Sequence, residues 1–396
     1  KDFINFPNIG PTHLENTMKK PVPAMHLQYH RSILKEIKKR DHILHYPYQS
    51  FRYFIDMLRE AAIDPKVVEI QVTLYRVAKK SMVVNSLINA ARNGKKVVVV
   101  IELQARFDEE ANIEWSNRMQ EVGIKVIHGV PGLKVHSKLL LITRRERQSY
   151  ERFAYIGTGN FQESTAKIYC DEGLFTFDKK ITTDVAKVFE FFDKNYKQHI
   201  FSHIILSPFS TRKHFIYHID HEIRNARAGE KAQMIIKMNS LVDDEMIDKL
   251  YEASQAGVEI KLIIRGICSL KAGVKGLSEN IEAISIVDKF LEHSRIFYFY
   301  DGGKESVYIS SADWMVRNLD RRIEVTCPVY DSDIKRELKQ MLQIQLKDNI
   351  KARVLDEYQN NRYVQNNYKP VRAQDDFYYY LKRRQKHIQS KQNNNG

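Results

Sequence analysis

Cysteines are few in this 396-residue chain, and its runs of hydrophobic residues are short. Cys170, Cys268 and Cys327 lie far apart and form no CxxC or Cys/His pattern, which argues against a structural zinc site and a disulfide framework. The longest apolar stretch, residues 97–101, has the length of a buried strand rather than that of a helix crossing a bilayer. A secretory signal is also missing. We therefore expect a cytoplasmic globular protein, with peripheral membrane association left open.

Acidic residues are too few to balance the basic ones. The chain has 49 Asp and Glu against 63 Lys and Arg, so its formal net charge is +14. A surplus of this size favours a polyanionic partner through long-range attraction and counterion release. Nucleic acid, an anionic membrane surface, polyphosphate and a merely well-solvated basic surface are all compatible with it.

Strand-like and helical patterns alternate along the chain. The segments VVEIQVTLYRV and KKVVVVIEL have the composition of strands and flank SMVVNSLINAARNG, which has helical spacing. The stretch from residue 36 to residue 64 also has helical spacing. Helices that alternate with strands indicate a parallel or mixed sheet covered on both faces.

The same alternation returns in the second half, where AQMIIKMNSLV and VEIKLIIRG flank DDEMIDKLYEASQAG. Three pairs of markers keep nearly one spacing: Gly94 and Gly257 are 163 residues apart, Arg106 and Arg265 are 159 apart, and His136 and His293 are 157 apart. We therefore predict an α/β protein with two tandem domains, each a mixed, mostly parallel sheet flanked by helices, and a site between them.

The predicted divisions are a connector from a preceding helical domain over residues 1–23, a first domain over 24–203, a second over 204–380, and a basic disordered tail over 381–396. The connector holds four prolines and little periodicity, and the tail is polar and lacks aromatic residues. We expect the tail to be solvated rather than bound to a polyanion.

Two histidines carry the chemical signal. In LKVHSKLLLI, His136 and Lys138 are two residues apart, which on a strand sends both side chains to one face. Polar groups in an apolar strand are costly unless an anion sits opposite them. LEHSRIFYFY repeats the spacing with His293 and Arg295.

Each histidine is followed by a segment of small and polar residues. After the first come Gly157, Thr158, Gly159 and Asn160, which would let backbone amides approach a phosphate. After the second comes SSADWMVRNLDRR, in which Asp313 takes the place of Asn160. We expect these two side chains to orient the histidines and to take part in nucleotide or phosphate binding.

Paired HxK-type segments with this following pattern resemble the phospholipase D superfamily. In that superfamily two histidines face each other across a shared site, where one attacks phosphorus and the other protonates the leaving oxygen. A narrower resemblance is to class 1 polyphosphate kinases, spread over residues 43–356. It rests on the segments ILHYPYQSF, TLYRVA, KVHSKLLLITRRE, IGTGNFQESTAKIY, KMNSLVD, LIIRGICSL, GLSENI, LEHSRIFYF, SSADWMVRNLDRRIEV and KDNIKARVLD.

This resemblance implies two phospholipase D-like domains that reversibly transfer the γ-phosphate of ATP to polyphosphate through a phosphohistidine. It makes His136 the phosphorylated residue and His293 the histidine that assists transfer. The remaining residues that it implies are Tyr169 at the nucleotide, Arg265 at the phosphates, and Arg76 and Arg106 beside the Mg²⁺ and phosphate site. Lys138 and Arg295, each paired with a histidine, are predicted to be catalytic residues in contact with phosphate. The implied partners are ATP or ADP, polyphosphate and further copies of the chain, without a specific nucleic acid.

Two other functions stay open at this point. A phospholipase D-like phosphodiesterase or nuclease predicts HxK in both repeats, and Arg295 counts against it. A non-catalytic polyanion-binding module predicts salt-dependent binding that does not need His136. The family also has an N-terminal half that this chain does not include, so weak nucleotide binding or inactivity of the isolated chain is an expectation too.

Overall fold

The computed structural model describes residues 19–24, 26–27, 31–75, 77–78, 80–102 and 109–393. The predicted site residues Arg76 and Arg106 lie outside these ranges, as do residues 1–18 of the predicted connector and 394–396 of the predicted tail.

The first domain is built on a seven-strand path of hydrogen-bonded strands with the order β1-β8-β7-β6-β2-β3-β4. Its elements are α1 (Ile33–Lys39), β1 (His42–Tyr46), α2 (Arg52–Ile63), β2 (Val67–Leu74), α3 (Met82–Arg92), β3 (Lys96–Ile101), α4 (Glu109–Glu121), β4 (Lys125–Ile127), β5 (Lys134–Val135), β6 (Leu139–Glu146), β7 (Ser149–Gly157), β8 (Tyr169–Thr176) and α5 (Lys179–Asp193). A 3-10 turn, Thr165–Lys167, precedes β8. The predicted helical stretch over residues 36–64 was wrong in part, because β1 interrupts it as an edge strand paired with β8.

The second domain has a sheet with the order β18-β12-β11-β10-β14-β15-β17-β9. Its elements are β9 (Ile205–Leu206), α6 (Thr211–Arg227), β10 (Gln233–Met238), α7 (Asp244–Gln255), β11 (Glu259–Ile264), β12 (Ile281–Ile286), β13 (Leu291–Glu292), β14 (Arg295–Phe299), β15 (Ser306–Ser310), α8 (Val316–Asp320), β16 (Arg322–Ile323), β17 (Val325–Pro328), α9 (Ser332–Leu346), β18 (Ala352–Val354) and α10 (Ala373–Asn393). Another 3-10 turn spans Asp301–Gly303.

The two sheet orders confirm the tandem repeat. The path β4-β3-β2-β6-β7-β8 in the first sheet matches β12-β11-β10-β14-β15-β17 in the second, strand for strand. The match also corrects one marker of the repeat. Arg265 directly follows β11 and Glu102 directly follows β3, so the structural counterpart of Arg265 is Glu102 and not Arg106.

Both sheets are mixed, as predicted, but "mostly parallel" was wrong. Within the main sheets the parallel pairs are β2 with β3, β3 with β4, β10 with β11, and β11 with β12. The strands from β6 to β8, and β14, β15 and β17, pair antiparallel. β6 and β7, and likewise β14 and β15, are joined by short turns, and strands joined in this way pair antiparallel, whereas a parallel pair needs a long crossover.

Two pairs of short strands join the domains. β5 of the first domain pairs in parallel with β16 of the second, and β13 of the second pairs in parallel with β8 of the first. A hydrophobic core cluster beneath them contains residues of both domains, among them Leu141, Phe189, Ile296 and Leu338. The pairing therefore places the segment after β5 and the segment after β13 at one interface.

The predicted disordered tail is helical as far as residue 393. α10 buries Ala373, Phe377 and Leu381, which are spaced four residues apart and therefore lie on one face. Arg384 on the same helix forms an ion pair with Glu337 of α9. The apolar stripe and this ion pair outweigh the basic, polar composition from which disorder was predicted.

Within the described ranges, no helix is both long enough and apolar enough to cross a membrane.

Candidate active site

The cross-domain strands give each histidine a carboxylate from the opposite domain. In the β5–β16 pair, Ile323 lies opposite Val135, so the next residues along are Glu324 and His136. In the β13–β8 pair, Glu292 lies opposite Cys170, and Asp171 comes next to His293. Each half of the site thus combines a histidine of one domain with a carboxylate of the other, brought together by a pair of parallel strands.

His136 is held through one ring nitrogen. Its Nδ1 lies 2.9 Å from the carboxylate of Glu324, which is fully buried. That carboxylate also accepts hydrogen bonds from the hydroxyl of Ser311 and from Nδ2 of Asn318, the latter at 2.6 Å. The ring of Tyr75 meets the imidazole edge to face, with 4.9 Å between centroids. These contacts fix the orientation of the imidazole.

Burial sets the charge of this half of the site. It lowers the pKa of His136 to about 3, against the opposing effect of Glu324 and with the help of the Lys138 charge, so the imidazole is neutral near pH 7. Burial also lowers the pKa of Lys138 to about 7. The Lys138 ammonium donates a hydrogen bond to the carbonyl oxygen of His136 and lies 5.5 Å from the centroid of the Tyr75 ring.

His293 has a matching but more polar setting. Its Nδ1 lies 2.8 Å and 3.0 Å from the two carboxylate oxygens of Asp171, and Thr158 donates its hydroxyl to the same carboxylate at 2.6 Å. Burial lowers the pKa of His293 and so does the charge of Arg295, while Asp171 opposes them. The ring of Tyr169, at the start of β8, lies 5.2 Å from the imidazole.

Arg295 stays charged beside His293. Its guanidinium binds Asp313 through Nε and Nη2, at 3.2 Å and 3.0 Å. Burial acts to lower the pKa of Arg295, but Asp313 outweighs it and the pKa is raised. Nη1 donates to the carbonyl oxygen of His293 at 2.7 Å and lies 3.2 Å from its Nε2. A permanent cation therefore touches the second imidazole.

Arg265 reaches the same place from the end of β11. Its Nε donates to the carbonyl oxygen of Glu292 at 3.0 Å, and its Nη2 donates to Oδ1 of Asn239 at 2.7 Å. Asn239 in turn donates its side-chain amide to the carbonyl oxygen of His293 and to Asp313. The side chain of Asn239 thus links the guanidinium of Arg265 to the backbone of His293 through hydrogen bonds.

The HxK segments do not lie within one continuous strand. Residues 136–138 separate β5 from β6, and both His136 and Ser137 donate their amides to the carbonyl oxygen of Ile323. His293 and Ser294 share the carbonyl oxygen of Cys170 in the same way. This irregularity ends the pairing in both repeats and turns each histidine towards the opposite domain.

The structure corrects the roles given to the segments after the histidines. Asp313 binds Arg295 and the backbone of Asn239, so it orients a cation and not an imidazole. The side-chain oxygen of Asn160 is buried and has no protein hydrogen bond partner among the described residues. Gly159 leaves room for Asp171, since a Cβ at this position would lie 2.1 Å from one carboxylate oxygen.

Two family models cover most of the chain. The model described as "Polyphosphate kinase C-terminal domain 1" matches residues 32–198, and the one described as "Polyphosphate kinase C-terminal domain 2" matches residues 204–374. The chain belongs to the polyphosphate kinase family. The resemblance found in the sequence is therefore confirmed.

Relatives and solved structures agree. A polyphosphate kinase of Vibrio vulnificus (strain YJ016) is 50% identical over 388 residues, which are 98% of this chain and 55% of that protein. The polyphosphate kinase of Escherichia coli (strain K12) is 46% identical over 96% of this chain and 56% of its own length. The crystal structure of polyphosphate kinase from Porphyromonas gingivalis superposes with a TM-score of 0.91 at 43% identity, covering 98% of this chain and 59% of that one. The chain thus spans little more than half the length of these members of the family.

A more distant structure shares the fold alone. The phosphatidylserine synthase of Haemophilus influenzae Rd KW20 superposes with a TM-score of 0.51 at 11% identity, over 92% of this chain and 96% of that one. The tandem architecture therefore extends beyond the polyphosphate kinase family.

Sequence reasoning missed three residues of the site, namely Asp171, Glu324 and Asn239. A usable signal was present for the first two. Each is a carboxylate in or beside a strand and lies at a similar distance after the histidine of its own repeat, Asp171 35 residues after His136 and Glu324 31 residues after His293. Such a residue is costly to bury without a partner, and each repeat supplies one histidine to pair with it. Asn239 carried no comparable signal, because an asparagine after a strand is common in turns.

The described side chains do not fit a magnesium site built by the protein alone. Among them, no group of three or more His, Cys, Asp or Glu residues is placed to hold a metal ion. Asp171, Glu324 and Asp313 are each bound to a histidine or an arginine instead. A carboxylate in such a pair is a poor candidate for the oxygen cage that Mg²⁺ requires.

Proposed function

We propose that this chain is the catalytic part of an ATP:polyphosphate phosphotransferase that works through a phosphohistidine at His136. The observation that carries the proposal is the pair of imidazoles at the domain interface, each bound through Nδ1 to a carboxylate of the other domain. With a proton on Nδ1 of His136 facing Glu324, the lone pair is on Nε2. The low pKa of His136 supports this role, because only a neutral imidazole is a nucleophile.

In the first step, Nε2 of His136 attacks the γ-phosphorus of ATP. An N–P bond forms, the bond between that phosphorus and the β,γ-bridging oxygen breaks, and the bonding electrons leave on ADP. The His136 ring becomes cationic, and Glu324 stabilises it. Glu324 is suited to this because its pKa is lowered: burial opposes the shift, but His136 and Lys138 outweigh it.

In the second step, a terminal oxygen of the polyphosphate chain attacks the same phosphorus. The N–P bond breaks, its electrons return to Nε2, and the polyphosphate is longer by one unit. Each step can run backwards, so ADP and polyphosphate can regenerate ATP. Direction is set by the concentrations of the two nucleotides and of polyphosphate.

Charge stabilisation is assigned to the cations around the second histidine. Phosphoryl transfer spreads negative charge over the equatorial and leaving oxygens, and positioned guanidinium groups lower its free energy. Arg295 and Arg265 are buried or half-buried and already held by Asp313 and Asn239. We assign the leaving or entering phosphate oxygen to His293 and Arg295, and Lys138 to the transferred group.

Several assignments rest on the family resemblance. Tyr169 is assigned to the nucleotide, and Asn160 and Asp313 to support of phosphate-binding residues. Mg²⁺ is expected to arrive with the nucleotide and to neutralise part of its phosphate charge; Arg76 and Arg106 are assigned beside it. A homo-oligomer, a cytoplasmic location and a peripheral contact with membranes also remain proposals.

The test is incubation of the protein with γ-labelled Mg·ATP. We expect label on the protein that is labile in acid and stable in base, and we expect it to vanish in His136→Ala. His128→Ala is the matched control, because His128 is exposed and lies outside the site. Label that persists in His136→Ala would contradict the proposal.

The two alternative functions are tested with the same protein preparations. A phosphodiesterase would hydrolyse a nitrophenyl phosphodiester without nucleotide. A non-catalytic module would bind polyphosphate with a strong salt dependence and carry no label. Either result in place of phosphohistidine would replace the proposed function.

A further inference from the structure

β13, the strand that leads into His293, is only two residues long, and one of its edges is covered by β8. Leu291 and His293 donate their amides to carbonyl oxygens of Ile168 and Cys170, at 2.9 Å and 3.1 Å. Alternate residues of a strand direct their backbone groups to opposite sides. Phe290 and Glu292 must therefore find partners on the other edge, where the described sheet supplies no strand.

A single glutamine from α10 completes this edge beside Phe290. Oε1 of Gln374 accepts the amide of Phe290 at 3.0 Å, and Nε2 donates to the carbonyl oxygen of Phe290 at 2.9 Å. The side chain thus forms the two bonds that a neighbouring strand would form. Nε2 also donates to the carboxylate of Glu292 at 2.9 Å, and Gln374 is only 1% exposed.

Arg372, just before α10, and Asp375, in its first turn, hold the residues before Phe290 as well. Arg372 binds Asp288 through two nitrogens, one of them at 2.8 Å, and Asp375 binds Lys289 at 2.6 Å. Arg372, Gln374 and Asp375 together therefore contact all three residues, 288–290, of the segment that enters β13. Glu292 itself is fixed by a buried ion pair with Lys237 at 2.6 Å.

We propose that Gln374 is a positioning residue for His293, because it closes the open edge of β13 and so fixes the direction in which the histidine leaves that strand. It touches no reacting atom and acts through Phe290 and Glu292. A two-residue strand has no long ladder to hold it, so losing its bonds on one side leaves buried backbone groups of Phe290 unpaired. The consequence for turnover rests on the proposed function.

The first domain shows what is specific to this arrangement. There the residue before His136 is Val135, and its amide is accepted by the side chain of Glu102 at 3.1 Å. The counterpart of Glu102 is Arg265, which binds the carbonyl oxygen of Glu292 instead. In both repeats a side chain thus binds the backbone of the residue before the histidine. In the second repeat Gln374, from the later helix α10, additionally binds the backbone of Phe290.

The kinetic test uses Gln374→Leu in the full-length protein. Leucine keeps most of the volume and removes every hydrogen bond of the amide. We expect kcat to fall about 10- to 100-fold, with a smaller change in KM for ATP, because a displaced catalytic group costs turnover before it costs binding. Gln385→Leu makes the same change on the same helix, eleven residues further along, and should leave kcat at the wild-type value.

A second readout does not depend on activity. Diethyl pyrocarbonate acylates accessible neutral imidazoles, and mass spectrometry resolves the rate at each histidine. In Gln374→Leu we expect the rate at His293 to change by at least about threefold while the rate at His136 stays constant, since only one strand has been released. Unchanged rates at both histidines, with kcat as in the wild type, would overturn the proposal even if the melting temperature fell.

Gln374→Glu decides the question if the leucine variant does not fold. Glutamate keeps the acceptor for Phe290 but loses both donated bonds and faces the carboxylate of Glu292, so the same two effects are expected. Absence of phosphohistidine in the wild-type protein would remove the proposed function, and the acylation rates at His293 would still decide whether Gln374 positions that residue.

Discussion

The two halves of the site share one plan and differ in charge. Each histidine is bound by a carboxylate from the opposite domain, and each is followed by a cation two residues later. In the first half that cation is Lys138, whose pKa burial lowers to about 7; in the second it is Arg295, whose pKa is raised by Asp313 against the effect of burial. The cation of the first half therefore titrates near neutral pH, and the cation of the second keeps a fixed positive charge.

This difference gives the two halves different roles in the proposed reaction, the nucleophile in the first and charge stabilisation in the second. Only a neutral imidazole is a nucleophile, and burial keeps the His136 imidazole neutral near pH 7. A fixed cation is the better partner for an oxygen that gains negative charge. The two repeats thus supply similar frames, and Lys138 in one and Arg295 in the other make them unequal.

Exchanging the carboxylates for amides tests this division most strongly. In Glu324→Gln one end of the side chain becomes a donor, which favours the wrong tautomer of His136. We expect the rate of His136 phosphorylation to fall about 100- to 10,000-fold. Asp171→Asn should lower steady-state turnover while the first labelling of His136 stays closer to the wild-type rate. Rapid-quench labelling with γ-labelled ATP measures both, and equal losses in the two variants would break the comparison.

Gly159 tests how tightly the second half is packed. A methyl group there would lie 2.1 Å from the carboxylate of Asp171, so Gly159→Ala must displace that side chain. We expect a loss of about 1–3 kcal/mol in the free energy of unfolding, measured by urea titration. In an Asp171→Ala background the same change should cost less, because the two nearest atoms, Oδ2 and Cγ of Asp171, are gone and only its Cβ, at 2.8 Å, remains close. Additive losses would show that the strain lies elsewhere.

Much of this architecture could be predicted from sequence, for a physical reason. The repeat shows itself in hydrophobic periodicity, which is local, and in the HxK pattern, which recurs at a nearly constant distance. The partners of the histidines could not be assigned in the same way. Glu324 meets His136 only because β16 crosses to the other domain, and contacts between strands 188 residues apart leave no periodic signal.

The errors have equally specific causes. The segment from residue 381 was predicted to be disordered from its composition, but Leu381 is one member of an apolar stripe that begins at Ala373, before the basic run. The sheets were predicted to be mostly parallel because helices alternate with strands in the first part of each repeat. The later strands β6, β7 and β8 follow one another without an intervening α-helix, so the alternation of helices and strands did not apply to them.

Asn239 tests how the cations of the second half of the site, around His293, are positioned. It ties Arg265 to the backbone of His293, and a hydrogen bond to a charged group contributes about 1.5–3 kcal/mol. We therefore expect Asn239→Ala to raise KM for ATP about tenfold, with a smaller effect on kcat. Asn280→Ala is the matched control, since Asn280 binds Ser254 away from the site. An unchanged KM would mean that Arg265 does not need its hydrogen bond to Asn239 to bind ATP.

The smallest expected effect concerns the pH dependence of the two cations. Lys138 is charged below its pKa of about 7 and neutral above it, so kcat/KM for ATP should decline as pH rises through that value. Lys138→Arg keeps the charge and should move this decline beyond the measured range, giving a few-fold gain relative to wild type at about pH 8.5. Arg295→Lys is the reciprocal change and should introduce a second alkaline decline, because the buried site would then hold a titratable amine. If the decline persists unchanged in Lys138→Arg, another group titrates, and the two halves do not differ in the way their cations suggest.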